Sequence, residues 1–343
     1  MKKAMLVPSK KFKLVKKEKL KEIEKVLYAL CVVMLFMNYY LYSFMHMIKF
    51  AAIVAVSIVA VKEFEILFYS HNKELKREDA KELIKGSYPV LLALIYALLI
   101  PVGTPLWIVA FGAVIATFLG KLIIGGFTHS VFNPSLIGVL YITFGYSVLA
   151  SNYEFGASLT NFLFKLLLDN PLFNEGLKFA GMNLFNADSV LAVNGFETYS
   201  LVRTIFGGAP GISVPGIFVL IGLGYLIYKK AVNYLVPVLS IVSLFVMYLV
   251  LGNGIEYALY QLFTGSFLFV VVFAGTDVIT TPVKTEGKII FAIIVGVMTV
   301  LIREAGTYTE GVIFALLFAN MLTPMFNFWF DKKKKPVKKV GAA

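Results

Sequence analysis

The sequence predicts an all-α polytopic membrane protein of about ten transmembrane helices, arranged as an inverted repeat of two five-helix halves. Three observations predict it. The 343 residues are 59% hydrophobic and only 15% charged, with a mean hydropathy of +0.82. A soluble domain sits nearer half apolar and a quarter charged, because it must cover itself with polar surface. The apolar residues fall into runs of the length needed to cross the hydrocarbon, roughly 20 residues each. The basic residues, finally, alternate between the connecting segments in the way that orients a membrane protein.

The candidate spans run Leu27 to Phe44, Met47 to Tyr69, Tyr88 to Ile100, Pro105 to Ile124 and Asn133 to Leu149 in the first half. In the second half they run Ile212 to Tyr228, Ala231 to Leu251, Tyr257 to Ala274, Lys288 to Ile302 and Gly311 to Phe330. The domain organisation follows: a basic cytoplasmic tail over 1–26, a first five-helix half over 27–149, an external loop over 150–211, a second half over 212–330 and a basic cytoplasmic tail over 331–343. The basic start lacks a small-residue cleavage pattern, so the first run reads as a retained span rather than a signal peptide.

Charge tests the count. With the N-terminus inside, the cytoplasmic segments hold ten lysines up to Lys25, five basic residues from Lys73 to Lys85, then Lys121, Lys229, Lys230, Lys284, Lys288 and six lysines from Lys332 to Lys339. The external segments hold Lys49, Lys165, Lys178, Arg203 and Arg303. An odd number of spans would put one lysine-rich tail on the wrong side. The net charge of +12 therefore reads as membrane topology rather than nucleic-acid binding. The single cysteine, Cys31, excludes an internal disulfide and a cysteine-held iron–sulfur cluster within the chain.

Within the long external segment, Leu159 to Phe173 is apolar but punctuated by Lys165 and Asp169, which favours an interfacial helix over an eleventh crossing. Each half also carries a stretch interrupted by glycine and proline, Gly120 to Ser135 and Phe273 to Lys288. Paired interruptions point to an inverted repeat around a central binding site, although these two are offset by one span.

Candidate site residues lie in those stretches. Gly125 and Gly126 permit a tight turn or close approach to a planar ligand. Asn133 followed by Pro134 reads as a helix cap with proline at the first helical position. The same stretch reads equally as an ordinary helix–turn–helix corner. Asp277, an acid at membrane depth, must be paired or functional. It is placed to accept from a ring N–H, to help an ion pass, or to cap the next turn. Lys62, Glu63 and Glu65 interrupt the second span near its inner end and mark a packed interior or a snorkelling edge. Glu304, Tyr308 and Glu310 make an acidic external turn. The three histidines, His46, His71 and His129, are scattered, and no phosphate loop, dinucleotide fingerprint or zinc ligand set is present. Transport, electron transfer and an assembly role remain, and no catalytic residue or metal site is assigned.

Four stretches, in order along the chain, carry a resemblance to a known family: Gly86 to Gly112, Gly120 to Gly138, Gly275 to Ala292 and Ile302 to Pro324. The pattern is similar to the RnfD/NqrB family of membrane subunits, found in ion-translocating ferredoxin:NAD oxidoreductase (Rnf) complexes and in sodium-pumping NADH:quinone reductases. The resemblance implies a ten-helix inverted repeat that carries flavin, with FMN joined through phosphate to a hydroxyl in an external loop. The family's attachment pattern reads roughly Asp-Gly-x-Ser-Gly-Ala-Thr. Asn194-Gly195-Phe196-Glu197-Thr198-Tyr199-Ser200 resembles it, which implies attachment at Ser200 with Thr198 as the alternative. Asn for Asp, Glu for Ser and Thr-Tyr for Gly-Ala are departures that put covalent attachment in question.

The interrupted stretches, one in each half, are expected to bring Gly125, Gly126, Asn133 and Asp277 close together near the cytoplasmic side, around an ion path or a second, noncovalent flavin such as riboflavin. The implied partners are membrane and peripheral redox subunits bearing flavin and iron–sulfur centres, with sodium or proton as the coupling ion. The implied place is the prokaryotic inner cell membrane, and activity belongs to the complex, a translocase, rather than to this chain alone. The short N-terminal extension favours an RnfD-type over an NqrB-type protein. A secondary transporter, which would exchange its substrate freely, and a structural anchor without flavin are the rival readings.

Overall fold

The computed structural model describes residues 17–41, 43–73, 75–146, 214–305 and 310–331. Residues 1–16 and 332–343 of the tails, the external segment with its expected interfacial helix, and Thr198, Ser200 and Tyr308 lie outside the described residues, while 17–26 of the expected N-terminal tail already belong to the first helix. Among the described residues there is no strand.

Long apolar runs without internal breakers fold as helices because a chain in hydrocarbon must satisfy its own backbone hydrogen bonds. The first half comprises α1 (Lys17–Leu41), α2 (Phe44–Lys73), the short charged α3 (Arg77–Ile84), α4 (Pro89–Leu98), α5 (Leu106–Thr117) and α6 (Pro134–Gly145). The second comprises α7 (Gly216–Tyr228), α8 (Leu235–Val250), α9 (Ile255–Phe263), α10 (Phe267–Phe269), α11 (Thr285–Ala305) and α12 (Gly311–Asp331). Each expected span coincides with helix over most of its described length. Among the described residues three helices are long and apolar enough to cross a membrane, namely α2, α11 and α12. α9 and the segment Phe267–Ala274, bent by 64° at a short break, pass the same test together. The chain is an all-α polytopic membrane protein.

Corresponding helices pack alike in the two halves. α2 packs on α5 and α5 on α6, while α8 packs on α11 and α11 on α12. Small residues set these contacts, as is usual where lipid supplies no hydrophobic drive between helices. A Cβ on Gly138 of α6 would lie 2.7 Å from the Gly112 carbonyl of α5. One on Gly296 of α11 would overlap Ser243 of α8. Tyr96, fully buried on α4, donates its hydroxyl to the Val109 carbonyl of α5 at 2.8 Å. The outward faces stay apolar: Phe36, Val59, Phe111, Ile221, Val250 and Phe328 are all exposed. A surface of this kind suits lipid rather than water.

Two helices end in π-turns, Phe118–Leu122 after α5 and Val270–Ala274 after α10. Each leads into one of the two glycine-interrupted stretches. The stretches are not counterparts, however, because the first follows the fourth span of its half and the second precedes it. In the second half the third span is itself broken at Thr264, Gly265 and Ser266, with Gly265 at φ +64°. Hydropathy alone reads that segment as one continuous span, since Thr, Gly and Ser are tolerated in apolar helices.

Candidate functional site

The first interrupted stretch sits beside a buried ion pair. Glu65 on α2 and Lys121 in the π-turn are both fully buried, and Lys121 Nζ donates to Glu65 Oε2 at 2.9 Å. The ammonium also donates to the Ser87 carbonyl at 2.9 Å, and the Ser87 hydroxyl donates to Glu65 Oε1 at 2.6 Å. Its remaining side faces the ring of Phe127, 5.6 Å from the centroid, a cation–π distance. Phe127 in turn rests on Tyr88, whose ring lies 5.6 Å away. A charge at this depth is tolerated only when paired and hydrogen-bonded, and here every oxygen of Glu65 is engaged.

The three charged residues that interrupt the second span thus part company. Glu65 belongs to the packed interior, while Glu63 is half-buried and pairs with Arg77 of α3 at 2.5 Å. Lys121, counted from sequence among the cytoplasmic basic residues, is instead fully buried. Sequence reasoning misses its role and that of Ser87. The available signal is one cation and one anion, each lodged near the end of an apolar span, which hydrocarbon forces to find each other.

From Lys121 the chain turns sharply. Gly125 and Gly126 take φ +108° and +100°, conformations that require glycine. Their N–H groups are already spent: Gly126 N–H donates to the Lys121 carbonyl at 2.8 Å and Gly125 N–H to the Leu122 carbonyl at 3.2 Å. Neither is free for an anion. A Cβ at Gly126 would meet only the Tyr69 hydroxyl, 3.5 Å away, so backbone conformation rather than crowding demands glycine there. Gly120 is the opposite case, since its Cβ would strike Pro134 at 2.6 Å. Asn133 caps α6 as expected, its side chain accepting from Ser135 N–H at 3.1 Å with Pro134 at the first helical position. Ser135 then ties α6 to the Leu92 carbonyl of α4 at 3.0 Å.

Asp277 lies in the second-half loop between the π-turn and α11. Its carboxylate accepts from Ile279 N–H at 3.1 Å and the Thr280 hydroxyl at 3.2 Å, which caps its own turn. The Thr280 carbonyl accepts from Thr323 of α12 at 2.9 Å, so the turn is stitched to the last helix. Gly125, Gly126 and Asn133 are therefore one loop with Lys121 and Ser135, and Asp277 organises a separate one.

At the other end of the bundle, Arg303 of α11 is buried against the break of the third span. It donates to the Gln261 carbonyl at 2.7 Å and the Thr264 carbonyl at 2.9 Å, the C-terminal carbonyls of α9. Glu310 takes the N–H and hydroxyl of Ser266 at the start of α10. A cation at one helix C-terminus and an anion at the next N-terminus each match the helix dipole they face. Glu304 accepts from Tyr257 at 3.1 Å. The acidic turn is thus partly structural. Among the described residues no group of three or more His, Cys, Asp or Glu is placed to hold a metal.

Comparison with known proteins decides the family. Residues 11–335 match the model of the NQR2, RnfD, RnfE family. The chain belongs to that family. Members similar to it include a protein from Actinobacillus succinogenes named as the D component of an ion-translocating oxidoreductase complex. It is 29% identical over 305 residues that cover 80% of this chain and 82% of the relative. A protein of the same name from Haemophilus influenzae is 29% identical over 70% of this chain and 74% of its own length. A third, from Clostridium ljungdahlii, is named as the D component of a proton-translocating ferredoxin:NAD(+) oxidoreductase complex. It is 26% identical over 78% of this chain and 76% of its own length. The family match spans both halves, the buried pair and both interrupted loops, so the NQR2, RnfD, RnfE fold is the frame on which these side chains are hung.

Proposed function

We propose that the chain is a membrane-embedded, flavin-carrying electron-transfer subunit of an ion-translocating ferredoxin:NAD oxidoreductase complex of the Rnf type, coupling electron flow to sodium or proton movement. The observation that carries this reading is the family match over nearly the whole chain, together with relatives named as the D components of such complexes. The chain works with other membrane and peripheral redox subunits bearing flavin and iron–sulfur centres, and has no turnover alone. It resides in the prokaryotic inner membrane with both termini cytoplasmic, a reading supported by the distribution of lysine and arginine.

Flavin supplies electron transfer in one- or two-electron steps, while the protein supplies binding, orientation and local charge. Covalent FMN is assigned to the hydroxyl of Ser200, with Thr198 as the alternative. A noncovalent flavin fits the Gly125 loop. The glycine N–H groups there are already bonded, which disfavours a phosphate and leaves ring contacts. Gly125, Phe127 and Thr128 are half-buried and His129 is exposed, giving a small surface of aromatic and polar groups. That chemistry suits a flavin without phosphate, such as riboflavin. Asp277, in its separate loop of the second half, is assigned to the same flavin as an acidic partner.

The test is purification of the tagged chain from membranes of its native host in mild detergent. The reading expects redox subunits to co-purify and ferredoxin:NAD oxidoreduction by those membranes to vanish on deletion of the chain. Recovery of the chain without redox partners, with that activity intact in the deletion strain, would overturn it.

A further inference from the structure

We propose that the second carboxylate oxygen of Glu310, at the break in the third span of the second half, is the anionic ligand of a small monovalent cation. The arrangement of side chains around the break carries this, and neither the flavin nor the redox partners are required for it.

The two halves secure their third span in related ways. At the start of the third span of the first half, Glu65 accepts from the Ser87 hydroxyl, while Lys121, near the end of the fourth span, donates to the Ser87 carbonyl. At the break in the second half, Glu310 accepts from the Ser266 hydroxyl and N–H, while Arg303, near the end of the fourth span, donates to the Thr264 carbonyl. The likeness stops at the charge balance. Lys121 reaches Glu65 at 2.9 Å, so the first arrangement neutralises itself. Arg303 directs its planar fork to the Gln261 carbonyl, the Gln261 side chain and the Thr264 carbonyl. Glu310 Oε1 is left buried with no hydrogen-bond partner among the described residues. A buried carboxylate oxygen in that position costs free energy until a donor or a cation meets it.

The surroundings select the occupant. Oε1 lies against Gly265, which takes φ +64°, and a Cβ there would sit 2.9 Å from the oxygen. Glycine is thus demanded by conformation and by the space beside the carboxylate. A second buried oxygen in the neighbourhood also lacks a partner. Tyr248 is fully buried on α8 with its ring edge-on to Tyr257, 5.4 Å between centroids. Its hydroxyl lies near Arg303 and Glu304 but meets no hydrogen-bond partner. Glu304, which accepts from Tyr257, offsets the Arg303 charge and leaves Glu310 as the uncompensated anion. Carboxylate, hydroxyl and backbone carbonyl oxygens are hard ligands, which suit an alkali cation better than a soft metal. One carboxylate matches one positive charge, and among the described residues no group of three or more His, Cys, Asp or Glu is placed to hold a metal of higher charge. A proton on Oε1 would need an acceptor instead, and the described residues offer none. Broken spans are also where membrane proteins expose backbone oxygens to ions at depth.

The experiment uses membranes carrying the full chain in its own complex, made permeable so that both faces meet the same salt. Carboxyl groups are labelled with a hydrophobic carbodiimide at fixed pH and the label is located by peptide mass spectrometry, in NaCl, in KCl and in choline chloride at equal ionic strength. Glu310 should label in choline chloride and be protected by NaCl or KCl. The protection should persist in Lys121→Met/Glu65→Gln, which removes the charged pair at the other end of the bundle. Gly265→Ala intrudes beside Oε1 and should raise the half-protecting salt concentration roughly tenfold or more. Gly224→Ala, with nothing within 4 Å of an added Cβ, should leave it unchanged. Labelling of Glu310 that is the same in all three salts would overturn the proposal. So would absence of label in choline chloride, because the carboxylate would then have a permanent partner. Protection that vanishes in Lys121→Met/Glu65→Gln would overturn it too, because the cation would then act from the other end. Should Gly265→Ala fail to accumulate, the salt dependence of the unsubstituted chain and of the double variant decides.

Discussion

Lys121 and Glu65 are 56 residues apart in the chain and meet at 2.9 Å in a position where neither touches solvent. The contact joins the end of the fourth span to the second and fixes the point from which the glycine turn departs. Removing one partner leaves a lone buried charge, which costs about 3–5 kcal/mol, whereas removing both leaves none. Lys121→Met and Glu65→Gln should each lower the midpoint of thermal unfolding in detergent well below that of the native chain. The double substitution should recover most of the loss. Additive losses in the double variant would show that the pair is not energetically coupled.

The close approach of α5 and α6 at Gly112 and Gly138 gives a second prediction. Gly138→Leu has no room, because even its Cβ would lie 2.7 Å from the Gly112 carbonyl and 2.9 Å from the Tyr96 ring. Overpacking costs on the order of 1–3 kcal/mol or more. Gly145→Leu, at a position with nothing within 4 Å of an added Cβ, should be tolerated. The yield of detergent-stable protein by size-exclusion chromatography separates the two. Equal yields would contradict the packing described.

Much of the fold is legible in the sequence, and the residues that are not share a cause. Span positions follow from hydropathy because the hydrocarbon leaves the backbone no alternative to helix. Asn133 with Pro134 announces its cap by local chemistry alone. Glu65 is conspicuous as an acid in an apolar run, but its partner is hidden, because Lys121 looks like one more basic residue at a helix end. Only the packing of α2 against α5 reveals it. The break at Thr264–Ser266 is hidden for the opposite reason. Its small polar residues barely alter hydropathy, and what holds it open, Arg303 and Glu310, lies 39 and 44 residues downstream of the groups they bind there. Asp277 stands out as an acid at membrane depth, and of the roles open to it the structure shows the capping of its own turn.

The glycine turn yields a third prediction. Gly126→Val places a β-branched residue at φ +100°, which strains the backbone, though a Cβ there would meet only the Tyr69 hydroxyl. The variant should accumulate in membranes yet lose noncovalent flavin, measured by fluorescence of the supernatant after acid extraction of the purified complex. Full noncovalent flavin in Gly126→Val would remove this loop from the flavin site.

Topology supplies a fourth. A reporter fused after Ala343 should report the cytoplasm, and one inserted within 151–211 should report the outside, as the lysine distribution requires. An external reading after Ala343 would change the parity of the spans and invert one half of the repeat.

The proposed function stands on flavin carried for electron transfer, and the mass of the denatured chain tests it. Protein purified from the native host should show flavin fluorescence in its denatured gel band and an intact mass raised by one FMN. That increment should disappear in Ser200→Ala. An increment that survives in Ser200→Ala but is lost in Thr198→Ala would move the attachment by two residues and leave the flavin-carrying role standing. A chain from its native host with neither fluorescence nor added mass would contradict covalent attachment and, if acid extraction also released no flavin, the flavin-carrying role itself.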